Sequence, residues 1–115
     1  KIIDNRAEYY IIQGVSYGKR MQMDDIIYLM REKKYVIFQC TDGKEYKERR
    51  SLGAVYEKLP HDRFVYIDKG CIINLKHGKD WEGDHIKLNN GAEFFASRRM
   101  IKCFKDALLT YWRIE

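Results

Sequence analysis

The chain has 115 residues, 45% of them apolar and 34% charged, with a formal net charge of +5. That length holds a single domain with a modest core, and that apolar content excludes an intrinsically disordered chain. No apolar stretch approaches the length that crosses a bilayer and nothing resembles a secretory signal, so no membrane partner is expected. The excess of cations suits an anionic partner such as nucleic acid or a lipid surface, although many basic domains bind neither. A first residue of Lys1 rather than methionine points to a piece of a longer protein, with the remainder upstream.

In chain order, "EYYIIQ" (residues 8–13) leads through Gly14 and Gly18 into "KRMQM", an opening pair of β segments. "IIYLM" (26–30) and "YVIFQC" (35–40) then flank the charged loop "REKK". Asp42-Gly43 and Asn90-Gly91 predict type I′ hairpins, and Gly83-Asp84 a further turn. Ser51 caps "SLGAVYEKL", in which Leu52, Val55, Tyr56 and Leu59 share one helical face ahead of Pro60. "RFVYIDKGCIINL" reads as strand, apolar on both faces and broken at Asp68-Lys69-Gly70. At the end, Ile101, Phe104, Leu108 and Tyr111 recur at helical spacing behind Ser97, a natural N-cap. That places Arg98 and Arg99 in the first helical turn, where the positive end of the helix dipole disfavours cations. The sum is a mainly antiparallel β fold with one helix in the middle and one at the C-terminus.

Enzyme chemistry is missing from this inventory. Cys40, Cys71 and Cys103 form no C-x-x-C and sit in apolar runs, so each reads as a small buried hydrophobe in a reducing compartment. His61, His77 and His85 have no ligand partners at metal-binding spacing. No nucleophile elbow and no phosphate-cradling glycine loop occurs. Adjacent side chains of an extended segment point to opposite faces, so Asp24 and Asp25 suit a loop or cap rather than a shared site. Neither catalysis, a metal nor a cofactor is expected.

The cations instead gather in loops. Arg31, Lys33 and Lys34 precede Tyr35, Lys69 sits at the break, and Arg98 and Arg99 stand at the last loop-to-helix junction. A solvated turn charge explains any one of these loops. Two arginines at a helix start do nothing for the fold, however, whereas phosphates and guanine edges are good partners for an arginine fork.

From about Asp24 to the C-terminus the sequence resembles the LytTR-type DNA-binding domain, the C-terminal output module of many bacterial response regulators. "DDIIYLMREKKYVIF", "SLGAVYEKL", "RFVYIDKGCIINL" and "IKLNNGAEFFASRR" carry the likeness, and "YYIIQ" with "KRMQM" fits the family's opening hairpin. The resemblance implies an elongated β–β–β fold of small antiparallel sheets that reads double-stranded DNA with loops in the major groove. It implies DNA contacts at Lys33, Lys34 and Tyr35, at Lys69, and at Arg98 and Arg99, the same three loops found by charge. It also implies a cytoplasmic transcription regulator with an upstream receiver or sensor domain, acting at promoter sites that are often repeated. Members often carry arginine, histidine and serine or asparagine around the break, where Tyr66, Asp68 and Gly70 stand here. Asp68 therefore either accepts from a cytosine amino group or caps its own turn. Asn74 matches the family and reads as structural, satisfying nearby backbone. On this reading Lys69 and Arg99 should enter successive major grooves about 10 bp apart. Two other classes fit the charge: a protein-interaction module for an acidic partner, and a single-stranded RNA binder, which would need aromatics exposed on a sheet face.

Overall fold

The computed structural model describes residues 8–114. Among the described residues ten strands form three antiparallel sheets. β1 (Tyr9–Gln13) and β2 (Gly18–Gln22) make a two-stranded hairpin. The central sheet has the order β5-β4-β3-β7-β6, built from β3 (Ile26–Glu32), β4 (Tyr35–Cys40), β5 (Glu45–Glu48), β6 (Phe64–Asp68) and β7 (Cys71–Asn74). β8 (Gly78–Glu82), β9 (His85–Leu88) and β10 (Glu93–Phe95) form the third sheet. Helix α1 (Leu52–Tyr56) joins β5 to β6, and α2 (Ile101–Ile114) ends the described chain. The mainly β architecture with one middle and one C-terminal helix is therefore the one expected.

The central sheet is apolar on both faces because both are covered. Residues opposite each other on paired strands share a face, so Leu29, Val36, Phe38, Cys40 and Ile72 point one way. They form one core with Tyr10, Ile12 and Met21 of the first hairpin and Leu52 and Val55 of α1. Val65, Cys71 and Ile73 point the other way and meet Ile86, Leu88, Phe104 and Leu108 in a second core. Burial of such side chains contributes about 1.5–3 kcal/mol each, which is why "YVIFQC" and "CIIN" run nearly unbroken in apolar residues. The α2 stripe behaves as its spacing predicts, with Phe104 and Leu108 fully buried. Close docking of α2 needs Gly78, where an added Cβ would lie 3.0 Å from a Leu108 methyl.

Several local expectations change. The segment broken at Asp68-Lys69-Gly70 is a hairpin, β6 turning directly into β7. Asp68 caps that turn, its Oδ1 accepting from the Gly70 N–H at 2.7 Å. Asp42-Gly43 and Asn90-Gly91 do not form type I′ turns, which need positive φ at both residues, because only Gly43 (φ 81°) and Gly91 (φ 93°) have it. Each closes a three-residue loop instead. The Gly43 N–H donates to the Cys40 carbonyl at 3.1 Å, and the Gly91 N–H to the Leu88 carbonyl at 3.0 Å. Cys40 and Cys71 are buried, which pushes both thiols up to about 12, but Cys103 is exposed on α2 rather than in the core.

Asn74 is fully buried and structural, as its apolar setting predicts. Its amide donates to the carbonyls of Met23 (3.1 Å) and Ile26 (2.8 Å), while Oδ1 accepts from the Lys76 N–H at 3.0 Å. Asp24 lies in the short 3-10 turn before β3 and pairs with Arg63 at 3.2 Å and Lys76 at 3.7 Å, a structural role rather than half of a carboxylate site.

Candidate nucleic-acid interface

One end of the central sheet collects the basic loops. β3 and β4 join through the two-residue turn Lys33-Lys34, and β6 and β7 through Lys69-Gly70. The two turns lie at the same end, because the Arg31 N–H donates to the Gly70 carbonyl at 2.9 Å. β5 also leaves the sheet there, since Glu48 pairs with Val36, and the chain continues as Arg49-Arg50-Ser51 into α1. A groove of about 480 Å³ results, lined by Arg31, Lys33, Lys34, Arg49, Arg50 and Lys69 along with Ser51, Leu52 and Tyr66. No carboxylate lines it. Arg50 is ion-paired with Glu48 at 3.3 Å, and the other five cations have no acidic partner among the described residues.

The turn that carries Lys33 is held at a backbone cost. Lys33 has φ 58°, and it is the only described residue other than glycine with positive φ. A side chain in that region is uncommon and costs on the order of 1 kcal/mol or more, so the cation is held at the tip against the backbone preference.

Arg98 and Arg99 stand beside this groove rather than in it. The Ser97 N–H donates to the Ile67 carbonyl at 2.8 Å, which sets the junction against the edge strand β6, next to the Lys69 turn. The expected N-cap is not formed. Residues 98–100 make a separate turn, the helix begins at Ile101, and the Ser97 Oγ is buried without a hydrogen-bond partner. Backbone does the work instead, the Ser97 carbonyl accepting from the N–H groups of Met100 (3.1 Å) and Ile101 (3.0 Å). Both arginines are therefore exposed in the turn ahead of the helix, outside its first turn.

Of the residues singled out by sequence, Lys33, Lys34 and Lys69 share one groove, and Arg98 and Arg99 flank it. Tyr35 is apart. It is half-buried, it lines a neighbouring groove with Tyr17 and Lys47, and the Lys47 ammonium lies 5.6 Å from its ring centre. Arg49 and Arg50 were not anticipated, because "EYKERRS" reads as an ordinary solvated strand end. The hairpin signal of Asp42-Gly43, which folds β5 back onto β4, was the cue that could have placed them.

The arrangement also sets the spacing. Lys69 and Arg99 are two residues away from the bonded pair Ile67 and Ser97, so their Cα atoms lie within about 20 Å of each other. Lys69 sits on the β6-β7 turn directly beside that junction, and the Lys33-Lys34 turn lies farther along the same sheet end. Along the sheet end the Lys33-Lys34 turn and the Arg98-Arg99 junction are about three strand spacings (roughly 15 Å) apart, with Arg49 beyond the turn on the β5 side.

Among the described residues no group of three or more His, Cys, Asp or Glu could hold a metal ion, and no helix is long and apolar enough to cross a membrane. No curated protein matches the chain. In fold it is similar to a solved LytTr DNA-binding domain from Bacillus cereus, assigned to a methyl-accepting/DNA response regulator. The TM-score is 0.77 at 18% identity, over 88% of this chain and 96% of that one. The LytTr DNA-binding domain family itself matches residues 19–109. That span includes all three basic loops, and the chain belongs to the LytTr DNA-binding domain family.

Proposed function

We propose that this chain is a single output module of a bacterial transcription regulator, recognising a specific duplex sequence through the loops at one end of its central sheet. The observation that carries the reading is the convergence there of five cations without acidic partners among the described residues, flanked by Arg98 and Arg99. Concentrated like charge is unfavourable until an anion meets it, and duplex DNA supplies a regular row of phosphates while releasing its condensed counterions.

In this reading the Lys33-Lys34 turn and Arg99 enter successive major grooves, and Lys69 faces the minor groove between them. The facing edges of those major grooves are roughly 22 Å apart, given grooves about 12 Å wide on a 34 Å repeat. Backbone elements about 15 Å apart cover that with long side chains. Bending the duplex toward the protein, at about 1–6 kcal/mol, closes the remainder. Arg98 holds phosphate. An upstream receiver or sensor domain supplies the signal, and the module works in the cytoplasm on promoter sites that are often repeated.

Selection of duplexes from a random pool tests this. Enrichment should yield two short conserved segments about 10 bp apart, with affinity for single strands far lower and a steep salt dependence for duplex. Failure to enrich any sequence, with equal affinity for an acidic polypeptide, would instead make the basic end a protein-docking face.

A further inference from the structure

We propose that Arg31 and Arg49 form a two-arginine clamp on one backbone phosphate of the duplex, a contact separate from the loops that read bases. The proposal rests on the duplex reading above and adds to it a binding site on the wall of the basic groove.

The clamp differs from the turn lysines in how it is held. Arg31 is inside β3, paired with Val36, and its own N–H is bonded to the Gly70 carbonyl. Arg49 follows directly on Glu48, whose carboxylate is 98% buried (2% exposed) and accepts from the Tyr10 hydroxyl at 2.6 Å and the Gln13 N–H at 2.8 Å. Arg31, Val36 and Glu48 form one row across three strands, so both arginines leave fixed backbone at neighbouring points of the sheet end. Arg31 and Arg49 both line the groove and have no acidic partner among the described residues. Arg50 lines it too, but Glu48 already neutralises it, which removes it from the clamp.

The chemistry selects the ligand. A guanidinium fork presents parallel N–H groups to two oxygens, and a phosphodiester has two non-bridging oxygens, one face for each arginine. Lysines at the tips of turns are point charges without that directionality. A phosphate contact carries no sequence information, so the clamp should set register and affinity and leave base choice to Lys34 and Arg99.

The test compares Arg31→Gln, Arg49→Gln and the double variant with the parent, on a selected duplex and on a scrambled one across salt. Lys44→Gln, in the turn at the opposite end of the sheet, serves as control. Because both arginines hold one phosphate, the double variant should lower the salt slope by about one, not two, and weaken both duplexes about eight-fold at 0.1 M salt. The ratio between the duplexes should stay as in the parent. Replacing the clamped phosphate by a neutral methylphosphonate should weaken the parent by a similar factor and leave the double variant unaffected. Parent-like affinity and slope in the double variant, while Arg99→Ala still loses binding, would overturn the clamp and leave the duplex reading intact. A loss confined to the selected duplex would also overturn it, by making these arginines base readers. If the parent itself fails to distinguish the duplexes, the duplex reading falls and takes the clamp with it.

Discussion

Glu48 and Asn74 are the buried polar residues of the described chain, and they show what a single position does and does not disclose. Asn74 is readable because an asparagine inside "CIINL" has no solvent to turn to and must satisfy backbone. Glu48 is not readable, since "EYKER" alternates like a wet edge strand and its partner Tyr10 is 38 residues away. Its carboxylate accepts from the Tyr10 hydroxyl and the Gln13 N–H and is ion-paired with the Arg50 guanidinium, tying the first hairpin to the basic end. Burial, followed by the bond to Glu48, raises the Tyr10 hydroxyl far above its ordinary value, so it stays protonated and donating. Glu48→Ala leaves a buried phenol and an amide without their acceptor and the Arg50 guanidinium without its counter-charge. It should destabilise the fold by about 3 kcal/mol, read from urea unfolding. A loss below roughly 1 kcal/mol would mean that water replaces the carboxylate at no great cost.

Among the elements, two serines look alike in sequence and behave differently. Ser51 is an N-cap, its Oγ accepting from the Ala54 N–H at 3.2 Å, so Ser51→Ala should cost about 1 kcal/mol. Ser97 precedes an intervening turn and its hydroxyl is buried without a partner, so Ser97→Ala should leave the melting temperature unchanged or raise it. Equal losses in the two variants would mean that Ser97 caps α2 after all. The helical stripe after Ser97 was legible from periodicity, but its first turn was not, because the Ser97 amide is taken by Ile67, 30 residues back. The strands were legible for the same reason as the stripe, whereas turn type was not: a three-residue loop and a type I′ turn both want glycine at a positive-φ position. The Lys33 turn sets stability against binding. Lys33→Gly removes the strain at φ 58° and should raise stability by up to about 1 kcal/mol while weakening duplex binding, measured by melting and by titration with DNA.

For the whole molecule, sequence disclosed which loops are basic, and the strand order disclosed that they converge. Arg31, Lys33, Lys34, Lys69, Arg98 and Arg99 stood out by charge, all but Arg31 also by family resemblance, but Arg49 joins them only because β5 folds back beside β4 and ends next to the Lys33-Lys34 turn. The same convergence fixes a geometric expectation. Inserting about 5 bp between the two contacted segments turns one groove away, and affinity should fall to the non-specific level. Inserting about 10 bp should not restore it, because two elements held roughly 15 Å apart cannot stretch another turn. Tolerance of the shorter insertion, in an electrophoretic binding assay, would mean that one loop reads alone. Arg98 and Arg99, exposed in the turn ahead of α2, carry the central claim, since their charge does nothing for the fold. The decisive measurement is the affinity of Arg98→Ala and Arg99→Ala for the selected duplex and its single-base variants across salt. Arg99→Ala should lose about 1–3 kcal/mol on the selected duplex and discrimination at one base position, while Arg98→Ala should weaken every duplex alike and lower the salt slope by about one. Parent-like binding by both variants would contradict the assignment of this junction as a reader of DNA.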